Sequence, residues 1–454
     1  MPVHTRASAG PATLGRHPSR RLFACYLIAV AATPFPGSYW TLTLLSGLSL
    51  LQAALSAGRL TVSRSLIVVL AWSGLSVTWS VAPSLTVRNG ALIGLMTVAT
   101  AVMVSALGAP HSLRALLTAC RAILVASWVL YLFAPSVGRT QEVYQAGTLE
   151  GVFVQRNVAA FFCVVAVISF LTAATGRVKG VHSGRAYLWA AAAVATLMAT
   201  SSSTGLAVLL ASLGVLAVLV LASRARTVSR RRSLAVSAVL PVIGLALWLP
   251  HNLGLVSELF GRDATLTGRS VIWAVVEDAV ILAPWGGYGY GALWTAGVPL
   301  TDRMWAQAGF AFYHAHSAYW DYLAQIGLVG LGLVVLVLLS TTWRAVRQLV
   351  FRPEATATWP AGISICLLLY AIDEQSFASQ FGWVLVVMAV SVTAGRGAGA
   401  GCPHVRSADR PSAVAAAVVP ASTEVHRRSA AAQARRSVTT DAPADEGRIR
   451  RGRR

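Results

Sequence analysis

"GFAFYHAHSAYWDYLAQIGLVGLGLVVLVLLS", residues 309–340, opens on aromatic side chains and two histidines, then runs unbroken into an apolar segment. A membrane span needs about 20 mostly apolar residues, and residues 317–340 supply them. His314 and His316 therefore stand where the chain enters lipid. Taken alone, they read most plainly as part of an aromatic belt with Tyr313, Tyr319 and Trp320. The rival reading is a general base of near-neutral pKa.

The rest of the chain follows the same pattern. Of 454 residues, 56% are hydrophobic and only 12% charged, with a mean hydropathy of +0.64, a balance that no single soluble core can bury. Dividing the chain at polar and Gly/Pro-rich breaks predicts spans near 22–36, 39–57, 64–80, 86–107, 113–134 and 157–174. Six more lie near 186–200, 203–222, 233–250, 317–340, 359–374 and 378–395, which makes an all-α polytopic membrane protein of about twelve transmembrane helices. Residues 1–21 are basic, and with the apolar 22–32 they also resemble a cleavable signal peptide; either way, residue 33 ends up outside.

The formal net charge is +21, carried almost wholly by arginine, since the single lysine is Lys179. Arginine in short turns between apolar runs is what the positive-inside rule requires, so this basicity does not argue for nucleic acid. "GRVKGVHSGR" (176–185), "SRARTVSRRRS" (223–233) and "WRAVRQLVFR" (343–352) then fall on the cytoplasmic side with both termini, in a plasma membrane. Residues 396–454, rich in Ala, Ser and Arg, carry no sustained apolar periodicity and read as a disordered tail. The five cysteines lack metal-ligand or CxxC spacing and read as small core hydrophobes, apart from Cys402 in the tail.

Two longer loops, 135–156 and 251–316, face the other side. The second is rich in tryptophan and other aromatics, and "SVIWAVVEDAVILA" (270–283) spaces its apolar residues as one helix face. A folded, partly helical cap is expected, its helix beginning after "TLTGR" with Thr267 or Ser270 as N-cap. Arg262 and Arg269 beside that helix start suit an anion such as phosphate; pairing with Asp263, Glu277 or lipid headgroups suits them equally. Arg156 and Asn157 open the span after "LEGVFVQ" on the same side, where a charged residue is a functional candidate. Gly287-x-Gly289-x-x-Ala292 imitates a dinucleotide fingerprint without a preceding strand, and a glycine-rich turn suffices there. The scattered His251, Asp302 and Asp321 do not complete a metal site with the two histidines.

"GRDATLTGRSVIW" (261–273), "PWGGYGYGALW" (284–294) and "HAHSAYWDYLAQIGLVGL" (314–331), in that order around one large loop, resemble the O-antigen ligase and polysaccharide polymerase superfamily, most of all its exopolysaccharide-production branch. "WSVAPSLTVR" (79–88), "GVFVQRN" (151–157) and "DEQS" (373–376) agree more weakly, and together these stretches extend through most of residues 22–395. The resemblance implies a GT-C-like glycosyltransferase. Such an enzyme moves a glycan from an undecaprenyl-diphosphate carrier to an acceptor hydroxyl on the outer face, without a metal or other cofactor. It also implies a lipid-linked oligosaccharide donor, a glycan acceptor and a bilayer as partners, alongside other polysaccharide-assembly proteins, and no nucleic acid.

Carried over by motif, His316 is the catalytic base and Arg269 the diphosphate contact, with Arg156 a second such contact where relatives often have Lys. Asn157, Arg262, His314, Ser317 and Tyr319 fall on the substrate side. Ser317 stands for the usual Asn, Gln325 for a frequent acid, and "TSSSTG" (200–205) lacks the arginine many ligases carry there. A transporter or flippase of lipid-linked saccharide is the alternative from a different class, though the chain shows no internal repeat and its spans are nearly free of charge except for Arg121. A non-catalytic scaffold is the third. Arginine in place of lysine and the high alanine content suggest a GC-rich bacterial genome, which favours capsule, exopolysaccharide or wall polymer as the product.

Overall fold

The computed structural model describes residues 19–32, 38–56, 62–141, 146–248, 268–351 and 357–398. Arg262, Thr267, residues 1–18 and the tail beyond 398 lie outside the described residues. Among the described residues, nine helices of twelve or more residues come first: α1 (Arg20–Ala31), α2 (Ser38–Ser56), α3 (Arg64–Leu75), α4 (Pro83–Leu107), α5 (Ala109–Phe133), α6 (Arg156–Thr175), α7 (Ser183–Ala199), α8 (Ser203–Arg224) and α9 (Val228–Trp248). Two short ones follow, α10 (Arg269–Leu282) and α11 (Pro299–Ala308), and then α12 (Ala318–Phe351), α13 (Thr358–Tyr370) and α14 (Gln380–Ala398). Among the described residues the only β-type pairing is one antiparallel bridge between Arg139 and Leu149.

Each segment read as a span from sequence is helical over most of its described residues, though the helix in 359–374 stops at Tyr370 and the last four residues form a turn. Five helices, α4, α5, α6, α8 and α12, are long and apolar enough to cross a bilayer, and shorter apolar stretches lie in α2, α3, α13 and α14. The chain is an all-α, multi-pass membrane protein. Local chemistry sets several starts: Pro83 opens α4 with its φ already helical, and the Ser202 hydroxyl accepts the Gly205 N–H at 3.2 Å to cap α8.

The core is centred on α6, where almost every residue from Ala159 to Ala174 is buried. A helix apolar on all sides belongs in the middle of a bundle. With no hydrophobic force between helices in lipid, packing and hydrogen bonds join them. Trp359 Nε1 donates to Ser169 Oγ at 3.0 Å and Trp383 Nε1 to Thr97 Oγ1 at 2.8 Å, both buried. Phe161 and Phe162 of α6 pack edge-on or tilted against Phe381 of α14.

The structure departs from the sequence reading in four places. The residue capping α10 is Gly268, at φ +86°, and Ser270 lies inside the helix; a left-handed entry selects glycine over a hydroxyl cap. Residues 299–308, which carry no clear periodicity, form α11 behind Pro299. The third departure is the length of α12, which continues to Phe351 through the stretch read as a loop, because Ala345, Val346, Leu349 and Val350 find buried places. The fourth is a break inside the same helix at Gly327, with φ 67° and ψ −174°.

That break is built in. A side chain at Gly327 would meet the Trp285 backbone at 2.2 Å, so the glycine admits another chain segment. The segment is the glycine-rich "PWGGYGYGALW" turn, which supplies the hydrogen bonds the broken helix lacks. Leu328 N–H donates to Pro284 O at 2.8 Å, while Tyr288 and Gly289 N–H donate to Ala324 O (3.0 Å) and Gln325 O (2.8 Å). Gln325 Oε1 accepts from Gly291 N–H at 2.7 Å. Non-helical backbone at membrane depth persists only when protein satisfies it. The "WSVAPSLTVR" region backs the turn: Trp79 Nε1 donates to Gly286 O at 3.0 Å, and Asn89 Nδ2 to Gly291 O at 2.8 Å. No helix follows these glycines directly, in keeping with a turn in place of a dinucleotide loop.

Candidate active site

Four helices begin at one place. The first residues of α6, α8 and α10 and the loop before α12 converge on the turn that follows α13, "DEQS". At its centre, Arg269 Nη1 donates to Asp373 Oδ1 at 2.7 Å, and Nη2 donates to Glu374 Oε1. Asn157 Nδ2 reaches the same Glu374 oxygen at 2.8 Å, and Thr204 donates to Asp373 Oδ2 at 2.5 Å. The other Glu374 oxygen faces His316 Nδ1 at 3.7 Å. This distance suits an ion pair but is too long for a hydrogen bond, and Nδ1 has no other partner.

His316 is held by its backbone. Its φ of +50° is left-handed, a costly conformation for a residue with a Cβ, and Ser201 and Ser376 beside the site share that sign. His316 N–H donates to His314 Nδ1 at 3.1 Å, and the two rings lie 4.0 Å apart. Since Nδ1 of His314 is an acceptor, its proton sits on Nε2. Asp321, fully buried, accepts from Ala315 N–H (3.3 Å) and from Gln375 Nε2 (3.0 Å). It thereby ties the residue before His316 to the residue after Glu374.

The charges respond to burial and to one another. Burial works against the Arg269 cation, but Glu374 and then Asp373 more than offset it, raising its pKa. Burial also pushes Glu374 up, yet His316 and Arg269 beside it bring the net shift below the ordinary value. Asp373 is pushed up, first by burial and also by Glu374, despite Arg269. His314 is pushed down to about 3, by burial first and by His316 next, and is neutral at physiological pH.

The expected site residues fare differently. Arg269, His316, His314 and Asn157 come together. Arg156, buried at the start of α6, donates to Thr200 O (3.2 Å) and Ser201 O (3.0 Å), the turn that leads to Thr204. The Ser317 and Tyr319 hydroxyls donate to Ala371 O and Leu368 O, both at 3.0 Å, and so lock the α12 start against the α13 end. Asp373, Glu374 and Thr204 were given no role from sequence. Two acids in a row between apolar helices, in a chain with few internal charges, were the available signal. Among the described residues, no three His, Cys, Asp or Glu side chains are grouped to share a metal ion.

The O-antigen ligase family model matches residues 186–335, the stretch that carries Arg269, His314 and His316. The exopolysaccharide production protein ExoQ of Rhizobium meliloti (strain 1021) is 25% identical over 316 residues, covering 68% of this chain and 71% of that protein. The chain is a multi-pass helical bundle, and its segment 186–335, which brings Arg269 and His316 to one polar site, is similar to the O-antigen ligase family.

Proposed function

We propose that the protein is an inverting, metal-independent glycosyltransferase of GT-C-like build. It transfers or polymerises a glycan from an undecaprenyl-diphosphate-linked donor onto an acceptor hydroxyl at the outer face of the plasma membrane. The product is an exopolysaccharide, capsule or other surface polysaccharide. The observation that carries this reading is the packing of His316, Glu374 and Arg269 into one cluster at the mouth of four helices.

Sidedness is supported by helix direction. α6, α8 and α12 all start at the site, and each runs toward basic residues: Arg177 and Lys179, Arg224 to Arg232, and Arg344 and Arg347. Arg231 Nη1 also donates to Val350 O at 3.3 Å, which joins two of these basic ends. By the positive-inside rule they face the cytoplasm, so the site faces out. The twelve-span topology, with both termini inside, fits that polarity.

In the proposed reaction the donor diphosphate lies near Arg269 and Arg156, where helix N-termini add positive field. Asp373, which holds Arg269 Nη1 while Glu374 is the carboxylate that faces His316, is the group that yields Arg269 to phosphate. His316, its Nδ1 turned to Glu374, takes the acceptor proton on Nε2. The acceptor oxygen bonds to the anomeric carbon as the carbon–oxygen bond to diphosphate breaks, and the electron pair leaves on phosphate. Glu374 stabilises the imidazolium, and Arg269 the developing phosphate charge. His314 offers its Nε2–H as a neutral donor, while Asn157, Ser317 and Tyr319 hold the loops that shape the cleft.

The test is purified protein in liposomes with a polyprenyl-diphosphate oligosaccharide, an acceptor glycan and EDTA, without ATP. Release of polyprenyl diphosphate with a new glycosidic bond of inverted configuration is expected. Translocation of an intact donor without bond cleavage would establish a flippase and overturn the proposal.

A further inference from the structure

α10 runs beside the first segment of α12: Trp273 Nε1 donates to Ala315 O at 2.8 Å near the site, and Val329 N–H donates to Trp285 O at 3.3 Å beyond the other end of α10. Along the way its exposed face changes character within one turn. Glu277 and Asp278 are exposed, and the next residues on that side, Ile281 and Leu282, are 67% and 81% exposed, with Trp285 just beyond at 69%.

These side chains are level with Leu328 and Val329, which are themselves exposed and begin the apolar face that α12 continues through Leu336, Leu339 and Trp343. At 1.5 Å per residue, Leu328 to Trp343 spans about 23 Å, against a hydrocarbon core of about 30 Å. With Arg344 at one edge of the hydrocarbon, Leu328 stands in its opposite outer part, within about 7 Å of the other edge. The switch from acid to bare apolar surface on α10 is the same water–lipid boundary, recorded on a second element.

We infer that Ile281, Leu282 and Trp285 embed in the acyl–headgroup boundary of the leaflet on the site's side and anchor α10 to the bilayer. Lipid is the occupant because the patch is continuous with the lipid-facing side of a spanning helix. Tryptophan at its lower edge is the residue type favoured at that depth. The anchor fixes the height of Arg269 at the other end of the helix. His316 is separated from Gly327 by the short segment 318–326, about 13 Å of helix. On the function proposed above, this keeps the site toward the headgroup layer, where the charge of a lipid-linked substrate resides.

The test uses nitroxide labels in liposomes. Leu282→Cys and Glu277→Cys are each placed in a full chain whose Cys25 and Cys402 are replaced by serine, and the relaxation effects of dissolved oxygen and a water-soluble nickel chelate are compared. At position 282, strong oxygen enhancement is expected with at least a five-fold weaker nickel effect than at 277. Equal nickel access at the two positions would overturn the anchor. Low access of both reagents at 282 would also overturn it, because a packed protein surface would then be the occupant.

Discussion

Glu374→Gln is expected to lower the transfer rate by about 10²–10⁴-fold, the range for loss of a positioned acid–base group, while the protein stays folded. The substitution is isosteric and keeps an oxygen for Asn157 and Arg269, which hold Oε1 in the native protein. What it removes is the charge facing His316 Nδ1 at 3.7 Å. Glutamine also offers an N–H toward an imidazole nitrogen that must be protonated when the other nitrogen receives the acceptor's proton. Asp373→Asn is the contrasting variant. It lifts a negative charge from Arg269 Nη1 without touching the imidazole, so the rate constant should fall little and donor binding should be at least as tight. Steady-state kinetics on both variants checks the division of labour, and an equal loss of rate in the two would remove it.

Arg269→Met has the second largest expected effect, and it acts on stability as well as on rate. Arg269 is 6% exposed and Glu374 5%, so removing the guanidinium leaves two acidic groups sharing a desolvated pocket. Breaking a buried ion pair by deleting one partner costs about 3–5 kcal/mol. Thermal unfolding in detergent should show a large drop in midpoint, and glycan transfer should be lost. The triple variant Arg269→Met, Asp373→Asn, Glu374→Gln should regain most of the midpoint, because no uncompensated charge remains, and should stay inactive. Recovery of activity in that variant would reduce the cluster to a structural staple.

Much of the fold was legible because lipid is a strict solvent. Apolar stretches divided by polar and Gly/Pro-rich breaks announce helices, and helices are what the structure has over most of their described residues. The break at Gly327 was hidden, since a glycine inside an apolar run costs little in a membrane helix. Only the approach of Trp285 from a segment some forty residues earlier explains it. At the site, the histidine and arginine could be named from their motifs, but their partners could not. Asp373 and Glu374 lie more than fifty residues beyond His316, and their meeting with Arg269 depends on how α13 ends. Ser317 and Tyr319 belong to the same short motif as His316, yet their hydroxyls secure the packing of α12 on α13.

His316→Ala, reconstituted at the same density as the native protein and assayed with a polyprenyl-diphosphate oligosaccharide in EDTA, tests the assignment most directly. With an unchanged melting midpoint, new glycosidic bonds should form at under 1% of the native rate, in line with the roughly 10²–10⁴-fold contribution of such a base. A well-folded His316→Ala protein that assembles glycan at the native rate would contradict it.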